Sequence, residues 1–420
     1  MFKTLHPNIR IRIYTSFLSR VIGSMIFPFM AIYFTLHINA TAAGIFLMIH
    51  VAVQFIASLY GGYLADLIGR KKMMVIGEWM KVFAFLGMVL TNSPFGTLPI
   101  LTFIMMLIVG VASGFVNPAA EAMLIDVSTK ETRSFMYSIN YWAVNLSIML
   151  GLIVGGWFYK THLFELLISL FIMSIITLWM TAALIKETYK KKEGITKKEY
   201  GFKPIIQSYK TVIKDLPFIW FTLGGIAILS LEFQRNNFIA VRLEKEFMPT
   251  TYDFWNLFDV SLDGVKLLSL LTVENTIIII LFTAIVSKWI KNKQEKPLMY
   301  IGFTLFGLGY AILAFSNSLW LLFTAVIILS IGELLYVPTR QSLLAAIVDD
   351  TKRGAYMAFN GFVFQFGKLF GALGIIVGGK IGGYGMASLY IVFILLGIIL
   401  SQFGLQHRKQ QETVQPSIHP

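Results

Sequence analysis

In a chain of 420 residues, 56% are hydrophobic and only 14% are Asp, Glu, Lys or Arg. That balance leaves too little polar surface to solvate a globule of this size and excludes a soluble enzyme. Lys and Arg outnumber Asp and Glu by 35 to 22, a formal net charge of +13, and the position of those cations decides what the excess means. There is no Cys, and the six His are scattered, so neither disulfides nor a metal site is expected.

A spanning helix needs about 20 mainly apolar residues. Taken in chain order, such stretches occur at 13–36, 42–64, 73–91, 98–117, 136–158 and 164–185. After a polar, Lys-rich stretch they resume at 217–239, 269–290, 298–316, 319–342, 356–379 and 385–405. The expected fold is an all-α membrane protein of twelve transmembrane helices. Two six-helix bundles, 1–186 and 217–405, are joined by a cytoplasmic linker, 187–216, and followed by a polar tail, 406–420. The first span follows Lys3, Arg10 and Arg12, but it is too long for a signal-peptide core and no small-residue cleavage site follows, so it is expected to be retained. The linker segment PIIQSYKTVIKDL is amphipathic and is expected to lie along the inner membrane surface. The outer loop at 242–266, with Trp255, is long enough to order over a cavity mouth.

Cytoplasmic loops of membrane proteins carry an excess of Lys and Arg. With the N-terminus inside, about 25 cations fall on the inner side and about 5 outside, namely Lys160, Arg242, Lys245, Lys266 and Lys380. Both termini of this multi-pass membrane protein are therefore expected in the cytoplasm. The positive charge is a topological signal, with attraction to anionic membrane lipids as its consequence and no nucleic acid implied.

The two halves repeat. Pro118, Arg133 and Asn140 recur as Pro338, Arg353 and Asn360, each 220 positions on, and Gly151, Gly155 and Gly156 recur as Gly374, Gly378 and Gly379, each 223 positions on. Glycines along one stripe remove side chains and let neighbouring helices approach closely.

The most specific motif is GGYLADLIGRKK, Gly61 to Lys72, between the second and third spans. Gly69 permits a tight turn, the cations hold the loop inside, and Asp66 is a carboxylate able to face a helix N-terminus. Gly62, Leu64, Ala65, Asp66, Gly69, Arg70, Lys71 and Lys72 resemble the signature of the major facilitator superfamily, with Leu67 in place of its usual Arg. The resemblance implies secondary transport by alternating access, with Gly62, Asp66, Gly69, Arg70 and Lys71 as gating residues rather than substrate ligands. Ser138, Ser147, Gly151, Leu152, Gly155 and Gly156 resemble the glycine-rich motif of the drug/proton antiporter branch, although its Pro is absent. AEAMLIDVSTKETR, INYWAVNLSIMLG and IGELLYVPTRQSL look like the matching helices of lactococcal-type multidrug/proton antiporters. In that group acids in both halves serve proton coupling and cation binding. Asp66, Asp126 and Glu333 stand at matching positions, whereas Asn140 and Asn236 replace carboxylates, which weakens attraction for cationic drugs and points toward a neutral, zwitterionic or anionic cargo.

Each ionisable group inside a span costs roughly 2.5 to 3.5 kcal/mol on insertion scales, so those present are functional candidates. They are Arg20, Glu78, Lys81, Glu232, Arg235, Glu333, Arg340 and Lys368. Glu78 with Lys81 and Glu232 with Arg235 are spaced i, i+3, close enough to neutralise one another, so each is either a functional pair or an internal ion pair. Glu333 has no cation three or four positions away, and a desolvated carboxylic acid favours its neutral form, so it is the expected proton-coupling residue. Asp126 is a second candidate, nearer the cytoplasm, with Arg133 as a partner. Arg20 either snorkels to the headgroups or faces the cavity. Tyr137, Tyr141, Trp142 and Asn145 either line a cavity wall or pack against lipid and neighbouring helices. The expected cavity set is Arg20, Asn140, Trp142, Asn145, Glu232, Arg235, Asn236 and Glu333.

There is no G-x4-G-K-S/T loop, G-x-S-x-G elbow or H-E-x-x-H helix, so neither ATP hydrolysis nor another enzyme chemistry is expected. The expected activity is proton-coupled export of small amphipathic molecules, by a monomer that needs no cofactor beyond the proton gradient. A proton-coupled symporter and a lipid or glycolipid flippase are the alternatives within transport. A receptor or a lipid-modifying enzyme is the alternative outside it.

Overall fold

Backbone N–H and C=O groups find no water in hydrocarbon, so an apolar run there must satisfy them internally, as a helix does. The computed structural model describes residues 5–188, 212–254, 258–290, 293–348, 356 and 359–414, and in it the apolar runs are helices. The first half holds α1 (Pro7–His37), α2 (Ala40–Ile68), α3 (Arg70–Thr91), α4 (Pro99–Val127), α5 (Lys130–Phe158) and α6 (Leu163–Leu184). The second holds α7 (Leu216–Glu246), α8 (Gly264–Ile290), α9 (Glu295–Phe315), α10 (Leu319–Ile347) and α11 (Phe362–Val414). Among the described residues, 10 helices are long and apolar enough to cross a membrane, and α5 adds a shorter apolar stretch, Trp142–Phe158. The last two expected spans lie in the single element α11, which bends at Gly382, where φ is 70° and ψ is −177°.

The outer loop expected at 242–266 is shorter than the sequence implied. Helix α7 runs on to Glu246, and the chain then forms an antiparallel hairpin, β3 (Thr250–Phe254) with β4 (Phe258–Leu262), preceded in chain order by the small pair β1 (Asn92–Ser93) and β2 (Gly96–Thr97). Trp255 lies outside the described residues. Arg242, expected among the outer-loop cations, is instead buried in α7. Its Nη2 donates to the carbonyls of Leu313 (3.0 Å) and Ser316 (2.6 Å), satisfying the open C-terminal end of α9.

The chain divides into two compact units, Met1–Lys197 with Val265–Val273, and Lys198–Gly264 with Glu274–Pro420. Each packs through glycines, as the repeat implied. In the first unit, α5 lies on α1 so closely that a Cβ on Gly151 would meet the Val21 carbonyl, and one on Gly155 the Met25 carbonyl. In the second, the first arm of α11 lies on α7, with Gly374 against Gln234 and Gly378 against Phe238.

Of the two adjacent glycines that open the signature motif, Gly61 is the crowded one, since a Cβ there would fall on the Gly114 carbonyl of α4, whereas one on Gly62 would rest 3.8 Å from the Pro118 Cβ. Gly61→Val is therefore expected to destabilise the protein by about 1–3 kcal/mol through overpacking. Gly62→Ala is expected to leave stability unchanged, and thermal melts of the two variants in detergent compare them directly.

Candidate functional site

A buried cation must be paired or its desolvation penalty stands unopposed. In the second unit this requirement falls on Arg235. Around it α7 widens into a π turn, Arg235–Ile239, in which the Ile239 N–H donates to the Gln234 carbonyl, five residues back, at 3.0 Å. Such single π turns re-aim side chains and recur at functional sites. Arg235 is 9% exposed. Its Nη1 donates to Asn275 Oδ1 of α8 at 3.0 Å and its Nη2 to the Tyr310 hydroxyl of α9 at 2.8 Å. The guanidinium carbon also lies 5.6 Å from the Tyr310 ring centre.

Asn275 passes the arrangement on. Its Nδ2 donates to Ser330 Oγ (2.8 Å) and to Glu333 Oε2 (3.1 Å), both on α10. The amide thus turns its acceptor to a cation and its donors to a hydroxyl and a carboxylate, which fixes its orientation. The expected direct pair of Glu232 with Arg235 is not formed: among the described residues no ion pair joins them, because the guanidinium is taken up by Asn275 and Tyr310. Glu232 stays one turn away on α7, half-buried, so that two carboxylates and one guanidinium share this part of the unit. Phe303, Phe306, Tyr310 and Tyr336 close around it, with Phe306 4.9 Å from both tyrosine rings. Among the described residues, Arg340 forms no ion pair with Glu333. Its guanidinium lies 5.3 Å from the Phe221 ring centre, with Nη2 3.5 Å from Asn360 Oδ1, in space left open by Gly225.

Asn236, next to Arg235, is exposed. In the first unit, Arg20 and Trp142 are exposed on α1 and α5, while Asn140 and Asn145 are half-buried. The side chains of Tyr137, Tyr141 and Arg133 lie outside the described residues. Glu78 and Lys81 do form the expected pair, at 3.0 Å, and Thr177 of α6 adds a hydrogen bond to the second carboxylate oxygen at 3.1 Å.

The signature loop forms a second cluster. Asp66 and Arg70 are paired, and Arg70 Nε reaches Asp126 Oδ2 at 3.4 Å, so Asp126 has Arg70 as its ion-pair partner. Gly69, at φ 111°, is the N-cap of α3 and has no side chain to cap it. The cap comes from Glu187, just after α6: its carboxylate accepts the backbone N–H of Arg70 (3.0 Å) and of Lys71 (3.1 Å). Asn8 holds the same segment by accepting from the Lys186 N–H (3.0 Å) and donating to the Lys186 carbonyl (2.8 Å).

Sequence reasoning passed over Asn275, Tyr310 and Glu187, which carry no signal as isolated residues. It also passed over Glu274, which lies inside the expected span 269–290 and carries the same signal as the other acids in spans.

The family model of the Major Facilitator Superfamily matches residues 13–243 and 237–417. The chain belongs to this superfamily and is a multi-pass integral membrane transporter. A Na(+), Li(+), K(+)/H(+) antiporter of Planococcus maritimus is 29% identical over 381 residues, covering 89% of this chain and 90% of that protein. A multidrug resistance protein MdtH of Salmonella arizonae is 24% identical over 388 residues, covering 89% and 86%. A POT family transporter solved in complex with 5-aminolevulinic acid shares the fold at a TM-score of 0.73 and 16% identity, covering 96% of this chain and 97% of that one.

Two outcomes are expected from substitution in these clusters. Asn275→Leu leaves Arg235 and Glu333 without their shared partner and lowers stability by about 1–3 kcal/mol for each group left unsatisfied, read as a lower melting temperature in detergent. Glu187→Ala removes the cap of α3 and costs about 0.5–1 kcal/mol, with faster hydrogen exchange at the amides of Arg70 and Lys71 as its local signature.

Proposed function

We propose that this transporter is a proton-coupled antiporter of a bacterial plasma membrane, with both termini in the cytoplasm, that expels small cations in exchange for protons. The observation that carries the reading is the chain from Arg235 through Asn275 to Glu333, with Glu232 one turn from the arginine. An ionised Glu333 accepts from Asn275 and offsets the Arg235 charge through it. A protonated Glu333 leaves that charge to Glu232 alone. Gain and loss of one proton therefore change the net charge of a buried group of side chains, which is the coupling an exchanger needs. Monovalent metal cations are the proposed cargo, a change from the non-cationic cargo that Asn140 and Asn236 suggested, supported by the similarity to the Planococcus maritimus antiporter over nearly the whole chain. Asp66 and Arg70, held by Asp126 and Glu187, are the proposed gate. The protein is proposed to act as a monomer and to need no cofactor.

Export of organic cations is a second reading, favoured by the similarity to the multidrug resistance proteins. Purified protein in liposomes with an imposed pH gradient separates the two. Addition of Na+, Li+ or K+ is expected to dissipate the gradient, and Glu333→Gln is expected to abolish this exchange. Dissipation by a lipophilic organic cation alone would favour the second reading. Cation flux that ignores the gradient, or unchanged coupling in Glu333→Gln, would overturn the proton mechanism.

A further inference from the structure

Glu274 lies ten residues into α8, about 15 Å along the helix axis and so near the middle of a hydrocarbon layer about 30 Å thick. On its own helix face the positions one turn away in each direction are Leu270, Leu271, Ile277 and Ile278. The nearest ionisable residue on α8 is Lys266, more than two turns earlier. The Glu274 side chain is half-buried, and its Oε2 is sealed from solvent with no hydrogen-bond partner. Among the described residues, no Lys, Arg or His forms an ion pair with it. Two charged groups that reach this level of α8, Arg235 of α7 and Glu333 of α10, are bonded to Asn275 instead. Successive side chains on a helix diverge by about 100°, so Glu274 and Asn275 present separate polar faces at one depth.

An ionised carboxylate with a sealed, unbonded oxygen and an apolar face around it is far less stable than the neutral acid. The Glu78 carboxylate, eight residues into α3, has both Lys81 and Thr177 to hold its charge. Glu274 lacks such a set, yet a residue kept only for packing gains nothing from a carboxyl group in hydrocarbon.

We propose that Glu274 is a second proton-carrying carboxylate of the second unit, separate from Glu333. It holds its proton in the conformation described and releases it when transport brings α8 into contact with water. The proposal rests on the reading of the chain as a proton-coupled antiporter and adds to it a second titrating group.

Dicyclohexylcarbodiimide, an apolar reagent that adds to protonated carboxyl groups, tests the protonation state without requiring transport. Peptide mass spectrometry of the full-length protein in detergent is expected to find the N-acylurea adduct on Glu274 at neutral pH, with labelling that falls as pH rises. Absence of the adduct, or labelling that does not fall with pH, would overturn the proposal. The role in exchange is read separately, as protons released per cation bound by purified protein. Glu274→Gln is expected to release fewer protons than wild type while still binding the cation. An unchanged proton count would overturn the role of Glu274. A labelled Glu274 in a wild-type protein that releases no protons on addition of Na+, Li+ or K+ would instead sink the antiport reading, and the proposed role with it.

Discussion

A charge cannot be left alone in hydrocarbon, and most of what distinguishes this chain from a bundle of apolar helices follows from that constraint. The first unit answers it locally: Glu78 and Lys81 sit one turn apart, close on each other and take a hydroxyl from Thr177. The second unit answers it across four helices. Arg235 is met by an amide and a phenol rather than by a carboxylate, and its counter-charges stand off, one beyond Asn275 and one a turn away. A closed pair has little reason to change protonation state. An arginine held by neutral groups between two acids has a charge balance that one proton alters.

The backbone makes this arrangement possible. A regular helix at Arg235 would aim its side chain elsewhere; the π turn adds a residue and turns it toward α8 and α9. Glycine works by the opposite means, removing atoms. Gly151 and Gly155 bring α5 onto α1, and Gly374 and Gly378 bring α11 onto α7, so the same pattern of close contact is built twice. That duplication is the physical content of the sequence repeat, and it agrees with the superfamily match over both halves of the chain.

The signature loop obeys a related rule for helix ends. A helix that starts at a glycine offers bare N–H groups, and Glu187, distant in sequence, supplies the missing acceptor at the N-terminus of α3. Arg70 is thereby fixed by its backbone on one side and by Asp66 and Asp126 on the other. The start of the segment linking the halves is tied to the loop proposed as the gate.

Hydropathy and the motif from Gly61 to Lys72 were legible in the sequence because each is a local or periodic property: a span is a run, and a signature is a spacing. The same holds for the pair Glu78 and Lys81, whose partners lie one turn apart. Local spacing misread Glu232 and Arg235, since i, i+3 proximity says nothing of the Asn275 and Tyr310 groups that compete for the guanidinium from 40 and 75 positions away. It likewise held no sign that Arg70 reaches Asp126 from another helix. What the chain encodes alone is which segments enter the membrane and which charges they carry there. Which of those charges meet was decided by packing, because a hydrogen bond about 3 Å long depends on where two helices touch, and no run or spacing along the chain contains that distance.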